Sequence, residues 1–322
     1  MKVIRVHETG GPERLLLDDV ADPSPGNGEL LIDVEAIGVN FIDIYQREGL
    51  YQLPRPFIPG SEAAGTVRAV GSGVSDFKPG DRVVSQSVKG SYAERAVVLA
   101  ERSIRIPDGV ATKTAAALWL QGLTAHYLTT STYPLKKGDR ALVHAAAGGV
   151  GLLLCQIAKK RGAFVIGTAS TEEKRALAKA AGADEMIDYT SQDFAAETKR
   201  ITNNAGVHVV YDSVGKTTFD KSLDCLTKRG MMALFGQSSG PVPPLDPQIL
   251  NRKGSLFLTR PTLNDYVLTH DELEWRANEL LGWVERGELS VRIGREYKLA
   301  EAGDAQRALA GRETTGKVLL VP

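Results

Sequence analysis

Cysteine and histidine are scarce in this sequence. Its 322 residues include two cysteines and five histidines, and their spacing matches neither a disulfide framework nor a metal site. Cys155 and Cys225 both fall in segments of helical periodicity, so we interpret them as small core residues. The lack of a disulfide framework favours a reducing compartment, and we expect a cytoplasmic protein.

Long apolar runs and an excess of charge of either sign are also absent. No stretch approaches the roughly 20 apolar residues that cross a bilayer, and residues 1–8 lack the apolar centre of a signal peptide. The 39 basic and 39 acidic side chains cancel, which argues against bulk electrostatic binding to nucleic acid or to an anionic membrane. A hydrophobic content of 43% and a charged content of 24% are typical of a soluble globular protein, here long enough for two domains.

Small residues, by contrast, are concentrated at 141–151, where a short apolar run turns into a helix. Apolar residues recur at i, i+3, i+4, i+7 and i+8 from Val150, which indicates one face of that helix. The spacing fits the dinucleotide fingerprint G-x-G-x-x-G, with Ala146, Gly148 and Gly151 at the three glycine positions. Alone, such a pattern also fits a tight turn, but a second strand-like run at 163–168 completes a βαβ unit of the right size. We therefore predict a pyrophosphate site at the start of this helix. Its residues are Ala147, Gly148, Gly149, Val150 and Gly151.

Strand and helix patterns divide the chain in two. Roughly the first 110 residues are rich in strand-like runs separated by glycine and proline turns. From Thr112 the periodicity is helical, and predicted strands then alternate with helices; the strands lie near 141–146, 163–168, 184–188, 207–212, 230–236 and 255–259. This alternation predicts a doubly wound parallel sheet of six strands. The tail, with two helices and a strand at 317–321, is best explained as a return to the first domain. We therefore predict an α/β protein with a β-rich domain over 1–122 and 262–322 and a dinucleotide-binding domain over 123–261.

Six short motifs carry a resemblance to a known family. They are Gly38-Val39-Asn40-Phe41-Ile42-Asp43, Pro59-Gly60-Ser61-Glu62-Ala63-Ala64-Gly65, Gly122-Leu123-Thr124-Ala125, Ala145-Ala146-Ala147-Gly148-Gly149-Val150-Gly151, Tyr211-Asp212-Ser213-Val214-Gly215 and Leu258-Thr259-Arg260-Pro261. Together with the domain order, they resemble the quinone oxidoreductase (zeta-crystallin-like) branch of the medium-chain dehydrogenase/reductase superfamily. The resemblance covers almost the whole chain. It implies a GroES-like catalytic domain, a Rossmann domain that binds NADPH, quinone acceptors and a homodimer.

Zinc-dependent members of this superfamily hold a catalytic metal through cysteine and histidine. The resemblance places Asn40 and Ser61 at two of those ligand positions, and the sequence has no four-cysteine lobe for a second zinc. We therefore expect an enzyme without a metal. We interpret His144, in the first strand of the βαβ unit, as a buried structural histidine rather than a base.

The choice between NADH and NADPH depends on the end of the second strand of the βαβ unit. Folds that prefer NAD carry an acidic residue there, about 20 residues past the glycine turn, whereas this chain has Ala169-Ser170-Thr171. Lys174 follows in the first turn of a helix, where a solvated lysine is the simplest interpretation from the residues alone. The resemblance instead implies a pocket for the 2′-phosphate of NADPH, made by Ser170, Lys174, Tyr189 and Arg312.

The resemblance also assigns residues around the nicotinamide and the acceptor. Those near the nicotinamide are Asn40, Tyr45, Thr124, Phe235, Gly236, Gln237 and Leu258, and Ser213 is a further predicted cofactor-binding residue. Those near the acceptor are Tyr45, Tyr51, Gln121 and Arg260. Tyr45 is the best candidate for a proton donor or a hydrogen-bond partner of a developing oxyanion, with Asn40 beside it.

We therefore predict a zinc-independent NADPH:quinone oxidoreductase. A NADPH-dependent reductase of α,β-unsaturated carbonyls shares the fold and the lack of metal, and it is the first alternative. A second alternative, of another class, is an NADPH-binding structural or RNA-associated crystallin-like protein, against which the neutral net charge weighs. The apolar segment 255–259 is either a strand at the dimer interface or an ordinary buried strand.

Overall fold

The computed structural model describes residues 1–85 and 90–322. These residues form two compact units. The first consists of Met1–Leu123 and Thr269–Pro322, and the second of Thr124–Leu268. The sequence predicted that the second domain spans residues 123–261. The second unit begins one residue later and extends seven residues further, to Leu268.

Strands dominate the first unit and form the centre of the second. In chain order, the strands of the described residues are β1 (Lys2–Arg5), β2 (Leu16–Asp19), β3 (Glu29–Val39), β4 (Ala63–Val70), β5 (Arg82–Ser85), β6 (Arg95–Leu99), β7 (Ser103–Arg105), β8 (Arg140–Val143), β9 (Phe164–Ala169), β10 (Glu185–Asp188), β11 (Val207–Asp212), β12 (Leu226–Leu234), β13 (Phe257–Thr259), β14 (Ile293–Lys298) and β15 (Lys317–Val321).

Helices connect the strands of the second unit and flank those of the first. In chain order, the α-helices of the described residues are α1 (Phe41–Arg47), α2 (Thr112–Tyr127), α3 (Gly149–Lys160), α4 (Glu172–Ala180), α5 (Phe194–Ile201), α6 (Phe219–Cys225), α7 (Gln248–Arg252), α8 (His270–Glu285) and α9 (Ala302–Ala310). None of these described helices combines the length and the apolar character that crossing a membrane requires.

The second unit is built on a six-stranded sheet in the order β10-β9-β8-β11-β12-β13. Every neighbouring pair is parallel, which confirms the predicted doubly wound sheet. This order places two three-strand halves side by side, as in dinucleotide-binding folds. The strands are apolar because helices cover both faces of such a sheet; Leu142, Ile166 and Val210 are fully buried.

One predicted strand of this sheet is shorter than expected. The sequence pattern indicated a strand over 141–146, but β8 ends at Val143. Ala145 has a φ of 50°, a left-handed conformation that breaks the extended backbone. The chain therefore leaves the sheet early and turns towards α3.

The first unit contains a seven-stranded sheet around the 11-residue strand β3. This strand pairs antiparallel with β4, β6 and β15. The β15 register sets Val318 opposite Val39, so the tail completes the first unit. The sequence pattern did not predict β14, whose residues Ile-Gly-Arg-Glu-Tyr-Lys are mostly exposed and lack an apolar face.

Candidate cofactor and catalytic residues

The turn between β8 and α3 has the features of an anion site. Gly148 is the N-cap of α3, and no side chain caps it. The first turn of α3 contains no acidic residue, so nothing on the helix itself offsets the positive end of its dipole. Because the first backbone N–H groups of a helix have no acceptor within it, the turn can donate hydrogen bonds to a phosphate.

Gly151 allows α3 to start this close to the turn. A Cβ atom at this position would lie 2.3 Å from the carbonyl oxygen of Ala145 and 2.8 Å from backbone carbons of Ala146. No side chain can occupy that space, which fits the role of the third fingerprint glycine in close helix–strand packing. Gly148 is less restricted, since its Cβ would lie 3.2 Å from the same oxygen.

Three of the four residues predicted to bind the 2′-phosphate lie at one edge of the sheet. Ser170 directly follows β9, and Tyr189 directly follows β10. These strands are parallel neighbours with Ala169 opposite Asp188, so their carboxyl ends lie side by side. Lys174 lies in the first turn of α4, and its backbone N–H donates to the Thr171 hydroxyl at 3.2 Å. Arg312 belongs to the first unit, and its assignment stays a prediction.

Asp188 brings a carboxylate to this edge that the sequence analysis did not consider. Hydrogen bonds from the Thr190 hydroxyl, at 2.6 Å, and from its backbone N–H hold the pKa of Asp188 below its usual range. The Arg175 guanidinium lies 2.9 Å from the same carboxylate. That nitrogen lacks the alignment of a hydrogen bond, so we treat the contact as a charge pair. The pair offsets the negative charge of Asp188 beside Ser170 and Tyr189.

The carboxyl ends of β11 and β12 bring Ser213 and Gly236 together. The Asp212 carboxylate accepts hydrogen bonds from the backbone N–H groups of Val214 and Gly215 at 2.7 and 3.0 Å, which fixes the loop after β11. A Cβ at Gly236 would lie 2.6 Å from the carbonyl oxygen of Ser213. Phe235 and Gln237 flank Gly236 on the same loop.

Two further predicted residues of this unit lie elsewhere. Leu258 lies in β13, next to β12 and opposite Met232, and Thr124 is buried in α2. Arg260, exposed after β13, is the acceptor-site residue predicted in this unit.

His144 is a buried structural histidine, as predicted. Its ring nitrogens lie 3.1 Å from the Thr168 hydroxyl and 2.9 Å from the Ser222 hydroxyl. Burial lowers its pKa, so the ring is neutral at pH 7. It links β9 to α6 behind the turn, where its 2% exposure keeps it away from solvent.

In the first unit, Asn40 lies between β3 and α1 with both hydrogens of its side-chain amide engaged. Its Nδ2 donates to Glu62 Oε1 at 2.7 Å and to the Gly38 carbonyl at 3.2 Å, and its Oδ1 accepts from Lys317 Nζ at 2.8 Å. Both amide hydrogens are therefore used inside the protein. Asn40 has no hydrogen left to donate to an oxyanion, so we revise that part of the sequence-based hypothesis.

Glu62 and Lys317 form a buried ion pair that the sequence analysis missed. They are 0% and 1% exposed, and Lys317 Nζ donates to Glu62 Oε1. The second oxygen, Oε2, accepts from the Leu120 backbone N–H at 2.6 Å. A Cβ at Gly38 would lie 2.1 Å from Glu62 Oε1, so a glycine there makes room for the carboxylate. In the sequence each charged residue adjoins a run of small or apolar ones, but that pattern alone predicts neither the burial nor the pairing.

Asp43, in the first turn of α1, is a second buried acid. Its carboxylate accepts hydrogen bonds from the Asn40 backbone N–H at 2.9 Å, the Ser61 hydroxyl at 3.0 Å and the Tyr92 hydroxyl at 3.1 Å. Burial nevertheless raises its pKa from 3.8 to about 6. Ser61, one of the former ligand positions, thus donates to a carboxylate. Within residues 1–85 and 90–322, no group of three or more His, Cys, Asp and Glu side chains could hold a metal ion.

Aromatic and apolar side chains are exposed on α1 and the loop after it. The rings of Tyr45 and Tyr51 meet edge to face with centroids 5.9 Å apart, and Phe41 lies 6.2 Å from Tyr45. Tyr51 and Leu50 are 42% and 50% exposed. This apolar surface is suited to stacking on a flat ring.

Gln121, on α2, has a buried side-chain oxygen without a hydrogen-bond partner. A buried polar atom left unsatisfied in the protein often faces a ligand or an ordered water. This feature is consistent with its predicted place in the acceptor site.

Comparison with known proteins assigns the family. A quinone oxidoreductase of Pseudomonas aeruginosa is 46% identical over 325 residues, with 100% of this chain and 99% of that protein covered. The chain belongs to the quinone oxidoreductase branch of the medium-chain dehydrogenase/reductase superfamily. Two family models agree: the alcohol dehydrogenase GroES-like domain matches residues 26–108, and the zinc-binding dehydrogenase matches residues 149–280.

Two other relatives bear on chemistry. The structure of an Escherichia coli quinone oxidoreductase complexed with NADPH has a TM-score of 0.98 and 43% identity, with 100% of both chains covered. A 2-haloacrylate reductase of a Burkholderia species is 40% identical, with 98% of each chain covered. The predicted combination of a GroES-like domain and a Rossmann domain is therefore confirmed.

Proposed function

We propose that this protein is an NADPH-dependent quinone reductase. The observation that carries the proposal is the carboxyl edge of the six-stranded sheet. There an uncapped helix start suited to a pyrophosphate lies beside the end of β9, where Ser170 takes the place of the acidic residue typical of NAD enzymes. The E. coli relative complexed with NADPH has the same fold.

The residues present fit this cofactor. The first turn of α3 would hold the pyrophosphate, and Ser170, Lys174 and Tyr189 would hold the 2′-phosphate. When bound, NADPH supplies the hydride that reduces the acceptor.

The chain's own contribution is positioning and exclusion of water. Tyr45 and Tyr51 would orient a flat acceptor by stacking, and the Tyr45 hydroxyl would donate a hydrogen bond to the acceptor oxygen as negative charge develops. A quinone would suit the metal-free site that Asn40 and Ser61 predict, because its conjugated carbonyls delocalise the arriving charge better than the single carbonyl of a simple ketone.

Steady-state consumption of NADPH with a panel of acceptors tests the proposal. We expect rapid turnover of bulky aromatic ortho-quinones and none of simple aldehydes or, with NADP⁺, of simple alcohols. NADH in place of NADPH should support markedly less turnover at equal concentration. A protein that consumes no NADPH with any quinone would contradict the proposal.

A reductase of activated double bonds is the second candidate, and the 2-haloacrylate reductase relative favours it. Acrylates are α,β-unsaturated acids. Their reduction adds the hydride to a carbon of the double bond, and the acceptor is not a quinone. Adding 2-haloacrylate and simple enones to the same panel separates the two candidates. Turnover of enones without turnover of quinones would establish the second.

We also propose a cytoplasmic homodimer. Strand β13 is at the edge of the six-stranded sheet, and Phe257 on it is 55% exposed. An open apolar edge is suited to pairing with a second copy across a two-fold axis. Light scattering after gel filtration should give a dimer for the wild type and for Phe164→Glu, which alters an exposed phenylalanine at the start of β9, and a monomer for Phe257→Glu. A monomeric wild type would contradict this assembly.

A further inference from the structure

The buried pair of Lys317 and Glu62 lies around a residue predicted to contact the nicotinamide. Because β15 pairs antiparallel with β3 and Val318 is opposite Val39, Lys317 reaches the position opposite Asn40. Its ammonium group then lies 2.8 Å from Asn40 Oδ1. On the other side of the amide, Glu62 Oε1 lies 2.7 Å from Asn40 Nδ2.

The chemistry of these two neighbours determines which way the amide faces. An ammonium group only donates hydrogen bonds, and a carboxylate only accepts them. Reversing the amide would set its NH2 group against Lys317 and its oxygen against Glu62, two repulsive contacts in a buried region. The orientation with Oδ1 towards Lys317 is therefore the only one that satisfies all three groups.

The amide then has a fixed capacity for further hydrogen bonds. An asparagine side chain has two hydrogens to donate and two lone pairs to accept with. Glu62 and the Gly38 carbonyl take both hydrogens, and Lys317 takes one lone pair. One lone pair on Oδ1 is left.

We propose that Lys317 and Glu62 are positioning residues, which lock the Asn40 amide so that it offers a bound molecule an acceptor and no donor. The proposal rests on the proposed function and on the sequence-based assignment of Asn40 to the nicotinamide site. The partner of Asn40 is then a hydrogen-bond donor, such as a ribose hydroxyl or a carboxamide NH2 group, and not an oxyanion.

If Lys317 and Glu62 were a purely structural ion pair, removing both charges together would leave NADPH binding unchanged. The proposed positioning role has a different consequence. In the double variant Lys317→Met/Glu62→Gln, the buried charges disappear together and the volumes are nearly kept. The glutamine introduced in place of Glu62 can still accept from the Leu120 backbone N–H with its oxygen, which turns its NH2 group towards Asn40. The Asn40 amide then reverses and exposes a donor where the wild type has an acceptor.

The test measures NADPH affinity, kcat and KM, and melting temperature for this double variant. We expect a folded protein with an NADPH Kd raised about tenfold or more, because a hydrogen bond to the cofactor is replaced by two opposed donors. The same two substitutions at the half-exposed pair Lys113–Glu296 of this unit should leave the affinity unchanged. A double variant that binds NADPH within about twofold of the wild type would overturn the proposal.

A second measurement needs no turnover and separates this inference from the proposed function. In protein with nitrogen-15 asparagine, the side-chain signal of Asn40 is identified by its loss in Asn40→Ser. Its two hydrogens should exchange slowly with solvent in the free protein and stay slow when NADPH is added. Rapid exchange in the free protein would overturn the lock, whereas failure to turn over quinones would contradict only the proposed function.

Discussion

Lys174 is the residue through which the choice of cofactor is most directly tested. It lies in the first turn of α4, after the β9 end that lacks an acidic side chain. A charge-assisted hydrogen bond to phosphate contributes about 1.5–3 kcal/mol. Lys174→Ala should therefore weaken NADPH binding by roughly one to two orders of magnitude and leave NADH binding nearly unchanged.

Fluorescence titration of the two cofactors gives both affinities. Lys179→Ala, in the last turn of the same helix, serves as the control and should change neither. Equal losses for NADPH and NADH in Lys174→Ala would show that this lysine does not contact the 2′-phosphate.

A substitution at Tyr45 distinguishes two roles of this residue: orientation of the acceptor and stabilisation of the negative charge that develops on it. Its ring packs against Tyr51, and Tyr45→Phe keeps the ring while it removes the hydroxyl. A hydroxyl that acts on the developing oxyanion works mainly in the transition state, so kcat should fall more than KM rises. Steady-state kinetics with an ortho-quinone measure both constants, with Tyr297→Phe on β14 as the control. An unchanged kcat would limit Tyr45 to the wall of the site.

At the scale of elements, α1 has a buried acid, Asp43, in its first turn. The burial of this carboxyl makes the free energy of unfolding depend on pH. The pKa of Asp43 is raised by burial from 3.8 to about 6 in the folded protein. Its stabilising contribution is therefore complete below about pH 3.8 and is lost as the pH rises through about 6. The loss corresponds to on the order of 3 kcal/mol.

Urea unfolding of the wild type and Asp43→Asn at several pH values isolates this contribution. The free energy of unfolding of the wild type, relative to that of the variant, should fall between about pH 4 and pH 6 and stay level above it. Subtracting the two curves cancels the other titrating groups. A difference independent of pH would contradict the raised pKa.

The elements that the sequence predicted well are those with a strong local pattern. The helix predicted to follow the glycine turn is α3 at Gly149–Lys160, and the strand predicted at 317–321 is β15. Both have an unbroken apolar face between clear breakers, so local preference and tertiary packing agree. The motifs around Gly148 and Gly151 were predictable for the same reason, since their geometry is set within one βαβ unit.

The contacts that the sequence could not predict join distant segments. The sequence predicted that Lys317 is in a strand, but its burial and its contact with Glu62 depend on the register between β15 and β3. A lysine at the start of an apolar strand usually extends into solvent. The orientation of Asn40 was unpredictable too, because it follows from that same contact.

For the whole molecule, the sequence predicts catalysis without a metal. Asn40 and Ser61 stand where zinc-dependent members have ligands, and in the structure both make hydrogen bonds within the protein. Purified protein should contain no stoichiometric zinc and keep its full rate after prolonged treatment with EDTA. Elemental analysis and quinone turnover before and after chelation give the answer. Activity that EDTA abolishes and zinc restores would contradict this expectation.

The split of the first unit into two chain segments has a consequence during synthesis. Glu62 and Lys317 are 255 residues apart, so at about 5–20 residues per second the carboxylate leaves the ribosome tens of seconds before its partner. Until Lys317 is synthesised, one edge of β3 has no β15 to pair with, and the Glu62 carboxylate has no positively charged partner. The second unit is a single continuous segment, Thr124–Leu268, and is complete before that partner is made. Synthesis of the first unit therefore starts before that of the second unit and finishes after it.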